Sequence, residues 1–408
     1  MLALDERGER IVWPTRSAGL SISQGNGRPT FHLSDPDPED AEPLSRGVGP
    51  RPARPSRKVP ESVLSVAAYE HVARTLVDRC SRLRPGLRVA VRVVGSEQRV
   101  AIGLPPEGRL VTDVRRGCRV RVELTADGRG PAVAESRLDD ADGDSPFERL
   151  ALDAFERFER GGDTRDLDPG DQEVVFAPSV GGVLLHEIVG HAVEADVFLA
   201  GTSWLAELEE RVAPEQVTIL DDPQRGRIAW RFDDEGEQAR STVLIRDGLL
   251  AGCVHDRATA RRAATSPTGH GRRASFREPV RPRLGCTYLR SGSAAPQDAV
   301  RSVQRGVYIR RMESGSTDPR SGRALFRVTD ADRIESGQRS YPVHAFLLLV
   351  NARSALAGLR CIADDLTFDN CIGSCHRDGQ PLATSVGTPT MCIGLAKVLS
   401  LGKERGAL

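Results

Sequence analysis

Two imidazoles and one carboxylate stand together in the run His186-Glu187-Ile188-Val189-Gly190-His191. Zinc hydrolases need two nitrogen ligands on one rigid face, with a carboxylate placed to take a proton from a water that the metal activates. The neighbours Val183, Leu184, Leu185, Ile188 and Val189 are aliphatic, which predicts a buried helix over 180–194. The spacing is the difficulty. In the familiar His-Glu-x-x-His pattern the histidines are four apart and about 40° from each other around the helix, whereas five apart on a regular α-helix means about 140°. Both can face one ion only if the turn widens locally, as a π-bulge allows. Gly190, lacking a Cβ, is the expected place for that distortion. Ordinary core or surface histidines on an undistorted helix are the alternative these residues leave open. Glu194 and Asp196 add carboxylates one turn on, and Glu194, three residues past His191, is itself a possible ligand.

The elements around this run divide the chain in three. Residues 1–60 include a stretch rich in Pro, Arg, Ser, Gly and Asp, such as Arg51-Pro52-Ala53-Arg54-Pro55, and are expected to be low in complexity and poorly ordered. Residues 61–144 form a small α/β unit. Helical periodicity over 61–83 (Val63, Leu64, Val66, Val72, Leu76) is followed by alternating runs at 89–93 and 120–124, which read as a meander. An acidic linker at 138–144 then precedes Ser145-Pro146-Phe147-Glu148, where a cap, a first-turn proline and a capping-box glutamate open a helix. Residues 145–408 are the expected metal-site domain, mainly an antiparallel sheet with the histidine helix packed on it. Strands are expected at 174–176, 217–220, 324–329 and 345–351, with a hairpin at 243–250 turning on Asp247-Gly248. The fold class is α+β.

Composition narrows the partners. The 57 basic and 57 acidic residues among 408 cancel, so the charge footprint of a nucleic-acid or membrane-surface binder is missing. Only Lys58, Lys397 and Lys403 among the bases are lysines. The longest aliphatic run, near 346–350, is far short of the roughly 20 residues that cross a bilayer. The N-terminus turns acidic at once, with no apolar stretch like that of a signal peptide. Eight scattered cysteines suit reduced thiols or metal ligation better than a disulfide framework. A cytoplasmic protein is expected. The arginine-rich stretch 261–290 has Phe276 and Tyr288 as its only aromatics, a thin platform for stacking bases. It reads as a solvated surface, with Arg272 and Arg273 the candidates for holding a substrate carboxylate or carbonyl.

The segment from Gly182 to Asp196 resembles the zinc-site helix of the TldD/PmbA peptidases, which carry HExxxH. The similarity continues in order through Asp233-Asp234-Glu235-Gly236, Pro267-Thr268-Gly269-His270-Gly271-Arg272-Arg273, Cys375-His376-Arg377-Asp378-Gly379-Gln380 and Val386-Gly387-Thr388-Pro389-Thr390, roughly residues 173–395. The resemblance implies His186, His191 and Cys375 as zinc ligands, Glu187 as general base, and an open fourth position for water. It further implies hydrolysis of peptide or amide bonds, and a homodimer or a heterodimer with a TldE/PmbA-like paralogue. Cys371 is the local competitor of Cys375, and only Cys375 falls at the family position. His270 stands where relatives commonly carry asparagine, and the family's N-terminal domain is not recognisable. A specialised amidase acting on one small natural-product intermediate would use the same residues. A non-catalytic binding partner of a paralogous subunit would not require them.

Overall fold

A computed structural model describes residues 66–104, 109–126, 129–137, 145–206, 211–225, 229–275, 277–369 and 373–401, and the backbone of 2–4, 10–12, 19–25 and 28–34. The periodic stretch after residue 60 forms a helix over Val66–Leu83, whose face of Val72, Ala73, Leu76 and Cys80 is buried. That face covers a sheet built from the strands Arg88–Leu104, Arg109–Ala126 and Arg129–Arg137. The first two pair without a break from Arg88↔Thr125 to Leu104↔Arg109, a much longer hairpin than the alternating runs suggest. Within 1–60, where low order is expected, four short backbone strands join this sheet, Leu2–Leu4 pairing with Val91–Val93 and Arg28–Ser34 with its far end.

The helix Ser145–Gly161 belongs with this first unit. Its buried face, Phe147, Leu150, Ala151, Ala154 and Phe158, shares one core with Leu76, Val120 and Leu124. An amphipathic helix goes where its apolar stripe finds a partner. Packing therefore puts this helix in one core with residues on the N-terminal side of the boundary expected at 144/145.

The rest of the chain makes two large sheets with one core between them, and a two-stranded ribbon of Gly271–Arg272 with Arg281–Pro282. In the first, the order is Arg305–Asp318, Gly170–Phe176, Met391–Ser400, Phe346–Asn351, Arg323–Glu335, Gln338–Val343, and the pairing of 305–318 with 323–335 closes the sheet on itself. In the second, Ile219–Asp221 lies between the hairpin strand Thr242–Arg246 and Cys286–Leu289, which pairs in parallel with Gln380–Thr388. Most strand pairings among the described residues are antiparallel, and that of 170–176 with 305–318 is again parallel. Asp247 and Gly248 turn the hairpin at positive φ (49° and 78°), as an Asp-Gly turn requires. No helix among the described residues is long and apolar enough to cross a membrane.

The two units meet at Arg115. It lies on the long hairpin of the first unit and is almost wholly buried; its Nη1 donates to Asp234 Oδ1 at 2.7 Å and its Nη2 to the Phe232 carbonyl at 2.9 Å. Asp113, two residues back on the same strand face, accepts from the Arg231 backbone N–H at 2.8 Å. Removing one partner of a buried pair strands the other, at a cost of about 3–5 kcal/mol. Arg115→Met should therefore lower stability by about that amount in urea unfolding, whereas Arg82→Met, in a pair with Asp78 exposed on both sides on the helix 66–83, should cost about 0–1 kcal/mol.

Candidate metal centre

The site helix starts as a regular α-helix over Gly181–Leu185, where closeness to the second sheet excludes side chains. A Cβ on Gly182 would stand 2.7 Å from Val386 Cβ and 3.0 Å from the Gly387 nitrogen. The next five residues, His186–Gly190, form a π turn, and the His191 N–H donates to the His186 carbonyl. The extra residue in that turn offsets the 140° that a regular helix would put between the two histidines. Their ring centroids are 4.8 Å apart, edge to face. Gly190 has ordinary helical angles (φ −53°, ψ −57°), so it is not the strained point of the turn. Its missing Cβ instead admits Leu284, whose Cδ1 fills that space.

A π turn ends with carbonyls that lack their usual partners. One is satisfied by Trp204, whose indole Nε1 donates to the Ile188 carbonyl at 2.8 Å within the core. Nothing in the histidine motif points to Trp204. After His191–Val193 the chain turns extended at Glu194 (ψ 119°), and the Ala195 N–H donates to the Val254 carbonyl.

The third donor comes from the hairpin of Gly373–Arg377 with Gln380–Thr388. The Cys375 sulfur lies 3.3 Å from His191 Nε2, and one ligand atom each from His186, His191 and Cys375 fall within 4.8 Å of one another. Cys371 lies outside the described residues. The other imidazole nitrogen of His191, Nδ1, is 3.0 Å from Glu194 Oε2, so a proton on Nδ1 donates to the carboxylate and leaves the Nε2 lone pair facing Cys375. Glu194 is completely buried and stands behind His191, outside the three-donor cluster. Burial alone would push the Cys375 thiol up, but the two imidazoles beside it, His186 and His191, outweigh it and bring the thiol down to about 4. Burial likewise opposes charge on His191, yet Glu194 and then Cys375 hold it well above its ordinary range.

These residues fit a metal ion. Both ring nitrogens of His186 are buried and lack a hydrogen-bond partner, a costly arrangement for imidazole unless something else coordinates it. Two nitrogens and a thiolate are the donor chemistry that zinc prefers. Glu187 is not among the three converging donors. It is half-buried against Gly315 on the strand 305–318, where a Cβ would come within 2.9 Å of Glu187 Cγ.

Arg272 and Arg273 take other places. Arg272 is buried, its Nε 3.1 Å from Asp234 Oδ2 and its guanidinium 4.0 Å above the Trp230 ring. The Arg273 backbone N–H donates to the same carboxylate at 2.9 Å, and its side chain is buried. Asp234 thereby gathers Arg115, Arg272 and the 272–273 backbone, so the Asp233-Asp234-Glu235-Gly236 motif organises the junction between units. His270 is fully buried, with Nε2 3.1 Å from Asp221 Oδ1, and Asp221 also accepts from the Gly285 N–H and the Thr287 hydroxyl.

A closed sheet and a π turn thus present two histidines to a distant cysteine, the donor set of a candidate metal centre. Residues 169–400, more than half of the chain, match the PmbA/TldA metallopeptidase C-terminal domain, and the chain belongs to that family. Among its relatives, the metalloprotease TldD homolog of Buchnera aphidicola (from Acyrthosiphon pisum) is 27% identical over 394 residues, 92% of this chain and 78% of the relative. The homolog from Haemophilus influenzae is 34% identical over 227 residues, 55% of this chain and 47% of the relative. A metalloprotease of Methanothermobacter thermautotrophicus is 33% identical over 231 residues, covering 56% and 50%. Among solved structures, TldE from Thermococcus kodakarensis superposes with a TM-score of 0.72 at 19% identity, covering 98% of this chain and 94% of that one, a likeness of fold.

Trp204→Phe keeps an aromatic ring, though a smaller one, and leaves the Ile188 carbonyl buried and unpaired. It should lower stability by about 1–3 kcal/mol in chemical denaturation. A change near zero would mean that the π turn closes without the indole.

Proposed function

We propose that the protein is a zinc peptidase in which His186, His191 and Cys375 hold one ion and Glu187 is the general base. The observation that carries this reading is the convergence of three buried or half-buried donors on one point, with both His186 nitrogens otherwise unpartnered. When bound, zinc would polarise the scissile carbonyl and acidify a water. Glu187 takes the proton of the attacking water and delivers it to the leaving amine. The missing Cβ at Gly315 leaves the space that the Glu187 side chain occupies beside the strand 305–318. Glu194 accepts the Nδ1 proton of His191, which fixes the tautomer and keeps Nε2 free to bind the ion.

The substrate class is peptides or unfolded chains, supported by the metalloprotease relatives. The fold shared with TldE supports assembly as a homodimer or with a paralogue of that type. Arg272 and Arg273 are given no substrate contact, because burial and Asp234 already account for them.

Elemental analysis of the purified protein should find about one zinc per chain. Glu187→Gln should retain that zinc while hydrolysis of a peptide mixture falls by about 10² to 10⁴. Cys375→Ala should lose both zinc and activity, whereas Cys371→Ala should lose neither. Near-normal turnover by Glu187→Gln, or full zinc in Cys375→Ala, would remove the assignment. A protein with full zinc that cleaves small amides but no peptide would point to the specialised amidase instead.

A further inference from the structure

His191 and Cys375 are brought together across 184 positions of sequence, and no continuous element joins them. Three charged layers lie directly behind them. Glu194, fully buried, uses Oε2 to accept from His191 Nδ1 at 3.0 Å and from Arg377 Nη1 at 2.9 Å. Arg377 is two residues past Cys375 on the same short strand, so both side chains leave the same face. Its fork continues to Asp196, with Nη1 to Oδ1 at 3.0 Å and Nη2 to Oδ2 at 2.6 Å. Arg283 works from the other side: Nη2 donates to the Cys375 carbonyl at 2.8 Å, Nη1 to the Gln380 carbonyl at 3.2 Å, and Nε stands 3.6 Å from Glu194 Oε1. Arg281 completes the rim, facing Asp378 at 3.2 Å and Asp196 at 3.6 Å.

The two ends of the cluster thus share one carboxylate. Glu194 is hydrogen-bonded to one donor residue, and both arginines that compensate its charge grip the strand carrying another. A buried carboxylate tolerates little movement of its countercharges, since a displaced guanidinium would leave it desolvated and unpaired. The bidentate fork on Asp196 adds direction, which a single point charge would not.

We infer that Arg377 is a positioning residue which, through the Glu194 and Asp196 carboxylates, locks the Cys375 strand to His191 and so sets how tightly the three donors hold a metal ion. This rests on the metal reading above and goes beyond it by assigning ligand geometry to a residue outside the donor set. Arg377 remains 18% exposed at its side chain and lies outside the hydrophobic core, so its replacement tests alignment more than folding.

The experiment compares the full-length chain with Arg377→Met, Arg377→Lys and Asp196→Asn. Zinc affinity is read by competition with a chromophoric chelator, and cobalt(II)-loaded samples report the thiolate-to-metal charge-transfer band. Arg377→Met should weaken zinc binding by about 10- to 100-fold, the usual effect of losing a partner behind the ligands, and should shift or weaken the cobalt band. Arg377→Lys should recover part of the affinity, and Asp196→Asn should fall between it and the wild type. Wild-type zinc affinity together with an unaltered cobalt band in Arg377→Met overturns the inference. Should Arg377→Met fail to fold, wild-type behaviour in both of the other variants overturns it equally. A wild-type chain that binds no zinc at all removes the metal reading and this inference with it, an outcome distinct from zinc that binds but ignores Arg377.

Discussion

Two side chains five residues apart on a helix face different directions, and the geometry of this site follows from undoing that. The π turn at His186–Gly190 inserts the residue that returns His191 to the side of His186. Its consequences spread outward. The turn leaves a carbonyl that Trp204 must satisfy, the close packing around it leaves no side chain at Gly182 or Gly190, and the helix ends at an extended Glu194 just where a carboxylate is needed behind His191. The strands Arg305–Asp318 and Arg323–Glu335 of the first sheet and the strands Cys286–Leu289 and Gln380–Thr388 of the second hold the helix between them, so the distorted turn is packed on both sides.

The second theme is the burial of charge in compensated groups. Asp234 gathers Arg115 and Arg272 at the junction of the two units, and Glu194 gathers His191, Arg283 and Arg377 behind the donors. Such groups are a costly way to gain stability and an effective way to specify position, because each partner must be in place for the others to be tolerated. In both groups the partners come from segments far apart in sequence. The charge pairs therefore register segments that the hydrophobic core alone would let slide.

What could be read from the sequence was whatever depends on local arithmetic. One hundred degrees per residue suffices to foresee a widened turn, and Asp247-Gly248 suffices for a hairpin turn at positive φ. The amphipathic stripe of 145–161 announced a helix but not its partner, which lies in the first unit. The basic stretch 261–290 read as solvated surface, yet Arg272 and Arg283 are buried, because their countercharges at Asp234 and Glu194 are contributed by other segments. Trp204 and Arg283 carry no local mark of their contacts. Arg377 carried one, its even spacing from Cys375, which gains meaning only once the strand is known. The convergence of Cys375 with the histidines was legible through family resemblance alone.

The separation of the donors along the chain has a bearing on how the molecule reaches its native state. Small zinc modules use the metal as a nucleus, because their ligands lie close in sequence and little loop must be closed. Here His191 and Cys375 are 184 positions apart, in a fold that includes the parallel pairings of 170–176 with 305–318 and of 286–288 with 385–387, both of them long-range contacts. Pairings of that kind are slow, since chain entropy is lost well before the contacts return it. A captured ion would thus report that segments far apart in the chain had been brought together, rather than serve as the nucleus that gathers them.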